Sequence, residues 1–157
     1  MASIYGPVSA TGWQLRLDYS VSQSIADNKS TLALTLYIYD GTGESYNLDA
    51  NSCYYTLQGT KVYNPYRYNS RDWYKLGSKS ITVAHNNMGK GAVALSADWH
   101  SGFTSSYTPS SLTVSGTVNL PDIPRASSVS ATGLVLGSAG TLTVARAVST
   151  FTHTIKL

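Results

Sequence analysis

Hydrophobic and polar residues alternate over long stretches of this chain, with the two-residue period that is typical of a β-strand with one buried face. Residues 13–21 show this pattern first, and residues 31–39 repeat it. Residues 92–99 and 111–119 carry it nearer the C-terminus. The alternation assigns to a shared core the side chains of Trp13, Leu15, Leu17, Leu34, Leu36, Val93, Leu95, Trp99 and Val114. Tyr37 and Tyr39 fall on the opposite face, either exposed or covered by another module or subunit.

Turn-forming residues separate these segments. Glycines end the sequences Asp40-Gly-Thr-Gly43 and Asn86-Asn-Met-Gly89, and a tight reversal between strands often needs a glycine. Weaker strands are predicted near 44–48, 52–58 and 60–63, followed by an irregular stretch at 64–72. With about eight strands in 120 residues and no helical spacing, the sequence predicts an all-β protein, an antiparallel β-sandwich of jelly-roll or immunoglobulin-like type.

Two prolines mark a boundary after this module. Pro121 and Pro124 lack a backbone N–H and favour an extended chain, so residues 121–126 are predicted to be a Pro-containing linker after a sandwich module at 1–120. Residues 127–157 hold two or three short strands and too few apolar side chains for a core of their own. They are therefore either a partial second β module or an exchange arm that adds strands to a neighbouring subunit.

Composition narrows the possible partners. Charged residues make up 12% of the chain and the formal net charge is +3, which is too weak a positive charge to favour duplex nucleic acid. No run of 18 apolar residues is present, so membrane insertion is not expected. Cys53 is the one cysteine and no secretory signal precedes the first strand, which predicts synthesis in a reducing cytoplasm.

Residues suited to catalysis or metal binding are few. The chain has one glutamate and three histidines, and none stands at the spacing of a catalytic or metal-binding motif. His85 and His100 end strands, where a polar surface position is the ordinary one. The sequence therefore predicts a protein that is not an enzyme and has no metal and no cofactor.

Residues 61–79 combine five cations and five aromatic rings with a single acid, Asp72. Exposed rings can stack on sugars, and nearby cations can attract phosphate. The candidate ligand-binding residues are Tyr66, Arg67, Tyr68, Arg71, Trp73, Tyr74 and Lys75. Two other interpretations stay open: the rings pack this loop onto the sandwich, or they form a protein–protein contact.

Three short motifs carry a resemblance to a known family. They are Leu120-Pro-Asp-Ile-Pro-Arg-Ala-Ser-Ser128, Phe151-Thr-His-Thr-Ile155, and the opening Trp13-Gln-Leu-Arg-Leu-Asp-Tyr with Asn28-Lys-Ser-Thr-Leu32. They resemble the minor structural tail proteins of siphophages and prophages of Gram-positive bacteria.

The resemblance implies several β modules strung along one chain in the tail of a virion that is made in the host cytoplasm. The expected partners are other virion tail proteins and copies of this chain. The rings and cations of residues 61–79 add a host cell-wall glycan such as teichoic acid as a further candidate. The sequence thus predicts a phage structural module that serves assembly and host adhesion. The alternative is a free-standing carbohydrate-binding module of an extracellular bacterial protein.

Overall fold

The computed structural model describes residues 1–42, 46–47, 52–64, 67–68, 71–102, 105–124, 128–132 and 141–145. Every regular element in these ranges is a β-strand, which confirms the predicted all-β class. The strands are β1 (Ala2–Tyr5), β2 (Gln14–Ser24), β3 (Lys29–Tyr39), β4 (Tyr46–Asn47), β5 (Tyr54–Leu57), β6 (Thr60–Tyr63), β7 (Arg67–Tyr68), β8 (Trp73–Ala84), β9 (Ala92–His100), β10 (Ser111–Asn119), β11 (Ser128–Thr132) and β12 (Thr141–Ala145). This part of the chain contains no helix that could cross a membrane.

Two four-stranded antiparallel sheets form the sandwich. The first has the order β1-β2-β3-β8, and the second has the order β10-β9-β5-β6. Their inner faces bury the residues that the alternation assigned to the core; of these only Val93 stays partly exposed at the margin. Trp13 and Trp99 stack inside with ring centroids 5.5 Å apart, and the Trp13 indole N–H donates to the backbone oxygen of Tyr107.

The largest departure from the predicted strands is β8. In the sequence, apolar residues alternate only at Ile81 and Val83, near the end of this strand, but β8 begins at Trp73 and pairs with β3 over its whole length. The register shifts at one point, because Leu36 pairs with Gly77 and Tyr37 pairs with Lys75. This β-bulge leaves Leu76 as an extra residue in β8. Residues 73–75 therefore alternate between the two faces in the opposite phase to the residues that follow the bulge. As a result, the first sheet gains a strand that begins directly after the predicted irregular stretch at 64–72.

His85 is buried, so its predicted surface position is wrong. Its Nδ1 lies 2.7 Å from the backbone oxygen of Gly89, and its Nε2 lies 2.8 Å from the Ser30 hydroxyl. A carbonyl oxygen can only accept, so Nδ1 carries the proton toward Gly89. Gly91 leaves the room that the ring needs, since a Cβ there would lie 3.1 Å from it. The imidazole thus fastens the turn after β8 to β3, which is a structural role.

The predicted linker begins against the sandwich. Ile123 is fully buried, and its backbone N–H donates to Gly89, while that of Leu120 donates to Gly91. The Gln23 side chain donates to the backbone oxygen of Pro121. Beyond this segment, β11 and β12 pair only with each other within the described residues. The division of the chain at 120 and 126 stays a prediction, and residues 146–157 with their Phe-Thr-His-Thr-Ile motif lie outside the described residues.

Candidate functional site

The candidate ligand-binding residues fall into three groups. Trp73, Tyr74 and Lys75 open β8, and Arg71 lies in the turn just before it. Arg67 and Tyr68 form β7, whose backbone pairs with Asn47 and Tyr46 of β4. Tyr66 lies outside the described residues. Trp73 therefore belongs to a strand of the first sheet and not to a loop.

Alternation in β8 divides its first residues between the two faces of the sheet. Tyr39 pairs with Trp73 and Tyr37 pairs with Lys75, so all four stand on the outer face. Ile38, which is buried in the core, pairs with Tyr74, so the Tyr74 side chain points the other way. The structure thus joins Trp73 and Lys75 with residues of β1, β2 and β3, and it separates them from Tyr74.

We call this outer-face group the Trp73 platform. Its members are Tyr5, Arg16, Tyr37, Tyr39, Trp73 and Lys75. The Trp73 ring lies 5.9 Å from that of Tyr5, edge to face, and 5.4 Å from that of Tyr39. Cross-strand aromatic pairs of this kind hold each other in place at the surface of a sheet. The indole is half-buried by these neighbours, whereas Tyr5 is 56% exposed.

The Arg16 guanidinium occupies the centre of the platform. Its Cζ lies 4.6 Å from the ring centroid of Tyr37 and 4.5 Å from that of Trp73. Its Nε lies 3.0 Å from an oxygen of Asp18, which also accepts a 2.7 Å hydrogen bond from the Ser3 hydroxyl. Contacts of a planar cation with two rings strengthen as water is excluded, and here only 18% of the Arg16 side chain is exposed. Arg16 therefore stiffens the platform from within.

Lys75 supplies an exposed positive charge at the edge of the platform. Asp18, the acid that pairs with Arg16, is buried and also accepts the hydrogen bond from Ser3. Flat rings with an exposed cation beside them suit a ligand that combines a sugar ring with a phosphate group. Farther along the same face the side chains become small and polar, with Thr35 next to Ser78 and Ala33 next to Ser80.

The sequence pattern does not identify two members of the platform, Tyr5 and Arg16. Tyr5 lies in a four-residue strand that is too short for a periodic pattern to show. Arg16 stands at a polar position of a predicted strand, as any exposed arginine would. The outward positions of Tyr37 and Tyr39 could be predicted from the sequence. The residues of β8 that lie beside them could not, because the bulge changes which of its residues face outward.

Other members of the basic segment 61–79 have different places. The Lys79 ammonium donates to the backbone oxygens of Leu57 and Gln58 and to the Thr60 hydroxyl, so it joins β8 to the β5–β6 hairpin. Lys61 and Tyr63 belong to β6 in the second sheet. In the described part of the chain, no three His, Cys, Asp or Glu side chains group as a metal site would require.

A protein-family model described as a siphovirus protein of unknown function (DUF859) matches residues 2–157. The chain belongs to this siphovirus family. The family accounts for nearly the whole chain, including the segment on both sides of the predicted linker, and it agrees with the predicted siphophage origin and with a structural role in the phage. No curated protein and no solved structure matches the chain. The predicted Gram-positive host stays a prediction.

Proposed function

We propose that this siphovirus protein is a non-catalytic module of the phage tail that attaches to host cell-wall glycan through the Trp73 platform. The observation that carries the proposal is the position of Trp73 on an outer sheet face, between Tyr5 and Tyr39 and against the guanidinium of Arg16. A ring that is already held in place loses little conformational entropy when a ligand stacks on it.

The charge of the platform favours a polymer that carries phosphate. Lys75 is exposed and supplies this charge, because Arg16 and Asp18 form an ion pair whose charges offset each other. Teichoic acids of Gram-positive walls combine sugars with phosphodiesters and fit this description. Single sites of this kind bind weakly, and repeated copies on a virion raise the overall strength of attachment.

Binding of the purified chain to Gram-positive cell walls tests the proposal. We expect Trp73→Ala to raise the half-saturating wall concentration about 5- to 150-fold, which corresponds to a loss of about 1–3 kcal/mol by analogy with base–aromatic stacking. Tyr107→Ala is the matched control, because Tyr107 is an exposed aromatic residue in the loop before β10 and is not a member of the platform. Circular dichroism verifies that both variants remain folded.

Charge is tested on the same face of the first sheet. Lys75→Gln should weaken binding and reduce its dependence on salt, since an exposed cation attracts phosphate over about one Debye length. Lys29→Gln is the control, because Lys29 is exposed at the opposite end of β3. Equal effects of the two substitutions, or wall binding that is unchanged in Trp73→Ala, would contradict the proposed site.

A further inference from the structure

The outer face of the second sheet carries a separate group of side chains, which we call the Tyr63 surface. Its members are Tyr54, Lys61, Tyr63, Asp98 and His100. Tyr54 pairs with Tyr63 on one side and with His100 on the other, so these three form one row across the sheet. In the next row, Thr56 separates Lys61 from Asp98. The outer faces of two packed sheets point away from each other, so this surface is distinct from the Trp73 platform.

Tyr54 is held by contacts from both neighbouring strands. The Lys61 Nζ lies 3.6 Å from its ring centroid, and the His100 imidazole stacks on it at 4.5 Å with an interplanar angle of 19°. Lys61 also lies 4.7 Å from the ring centroid of Tyr63, which meets Tyr54 edge to face at 5.8 Å. These contacts fix Tyr63 in position while 56% of it stays exposed. A fixed, exposed ring next to polar groups is a ready stacking surface.

The polar groups beside this ring suit hydroxyl groups. Asp98 Oδ1 lies 3.1 Å from His100 Nε2, and about a third of each side chain remains exposed. A carboxylate accepts hydrogen bonds from sugar hydroxyls, and an imidazole or an ammonium group adds donors. The charges of Lys61 and Asp98 offset each other, in contrast to the positive Trp73 platform. The surface therefore complements a neutral, hydroxyl-rich ligand better than a phosphate-bearing one.

We propose that the Tyr63 surface is a second glycan-binding site, selective for uncharged sugar units, and that the module bridges two glycan chains through its opposite faces. Tyr63 provides the stacking ring, Asp98 and His100 provide hydrogen bonds, and Lys61 orients the rings. The proposal rests on the proposed function for one point, that the natural ligand is a wall polymer.

Two wall preparations separate the two faces. The full chain is tested on purified Gram-positive walls and on the same walls after cold hydrofluoric acid has removed the phosphodiester-linked polymers. On stripped walls, Tyr63→Ala should raise the half-saturating concentration about tenfold or more, whereas the control Tyr107→Ala should change it less than twofold. On untreated wall fragments, the wild-type chain should cause aggregation visible as turbidity, and either Tyr63→Ala or Trp73→Ala should abolish it.

The outcomes distinguish the two proposals. If the wild-type chain binds untreated walls but not stripped ones, or if Tyr63→Ala binds and aggregates walls like the wild type, the second site is overturned and the Trp73 platform stands. If Tyr63→Ala loses binding to both preparations while Trp73→Ala changes neither, the Tyr63 surface is the binding site and the proposed role of Trp73 is wrong. Absence of binding to either preparation overturns both.

Discussion

Tyr55 places a phenol hydroxyl inside the sandwich, next to Gly77 of β8. The tyrosine is buried, and a Cβ at Gly77 would meet its hydroxyl first, so glycine at this position makes room for the ring. Burial raises the pKa of Tyr55 above the ordinary tyrosine value of about 10, because the phenolate would lose its hydration. The neutral phenol is thus the form that the folded state accepts.

This shift predicts a loss of stability at alkaline pH. Above a pH of about 10 the unfolded chain releases the Tyr55 proton while the folded chain retains it, so the free energy of unfolding falls as the pH rises. Below that pH both states keep the proton and the contribution is constant. Urea unfolding at pH 8 to 11 measures the slope. Tyr55→Phe should show a shallower decline than the wild type between pH 10 and 11, and parallel curves would contradict the assignment.

At the residue scale, the sequence was sufficient for the apolar core and insufficient for buried polar groups. The alternation of Leu15 and Leu17 with polar residues predicted their burial correctly. The same alternation placed Asp18 on the exposed face, yet Ser3 of β1 and Arg16 bury it. A polar side chain is buried when a partner offsets its desolvation, and strand pairing brings that partner from a distant part of the sequence.

Among the elements, β8 connects the two sheets. Lys79 stands in register with Leu34, which is buried, and its ammonium group reaches the β5–β6 hairpin of the other sheet. There it donates to Gln58 at 2.7 Å and to the Thr60 hydroxyl at 2.7 Å, with a longer contact to Leu57. Gln58 has a φ of 47°, in the left-handed region, and Gly59 follows it, so the ammonium stabilises a tight turn.

We therefore expect Lys79→Met to destabilise the protein by about 1–3 kcal/mol, the usual cost of leaving partly buried acceptors without a donor. Methionine keeps most of the aliphatic length of lysine, so the change isolates the ammonium group. Lys75→Met on the same strand is the control and should stay within about 0.5 kcal/mol of the wild type, since Lys75 is exposed. Chemical denaturation measures both, and equal midpoints would show that the bridge contributes nothing.

The sequence could not predict β8 because its pattern breaks twice. Gly77 and Lys79 occupy inward positions, where an alternating strand would show apolar residues. The bulge at Leu76 then shifts the phase, so Trp73 and Ile81 stand on opposite faces despite an even separation. That phase decides that Trp73 and Lys75 lie on the outer face. Their place in the Trp73 platform therefore follows from the strand pairing and not from the sequence pattern.

For the whole molecule, the segment that follows β10 decides where the sandwich ends. Leu120 and Ile123 are buried, and their backbone N–H groups bond to Gly91 and Gly89 in the turn between β8 and β9. Gln23 holds Pro121 from the other side. The sandwich therefore extends to Ile123. His85 stabilises the turn that accepts these hydrogen bonds, because its Nδ1 contacts the backbone oxygen of Gly89.

Ile123→Ala in the full chain tests this extension. Removing a fully buried isoleucine should cost about 2–5 kcal/mol, because a cavity remains where the side chain packed. Ile25→Ala is the matched control, since Ile25 is 58% exposed, and it should change stability by less than about 0.5 kcal/mol.

A chain ending at Pro124 should keep the melting temperature of the Ile25→Ala control, whereas a chain ending at Leu120 should melt at a lower temperature. If both truncated chains melt together and Ile123→Ala matches its control, the segment after Leu120 is not part of the sandwich.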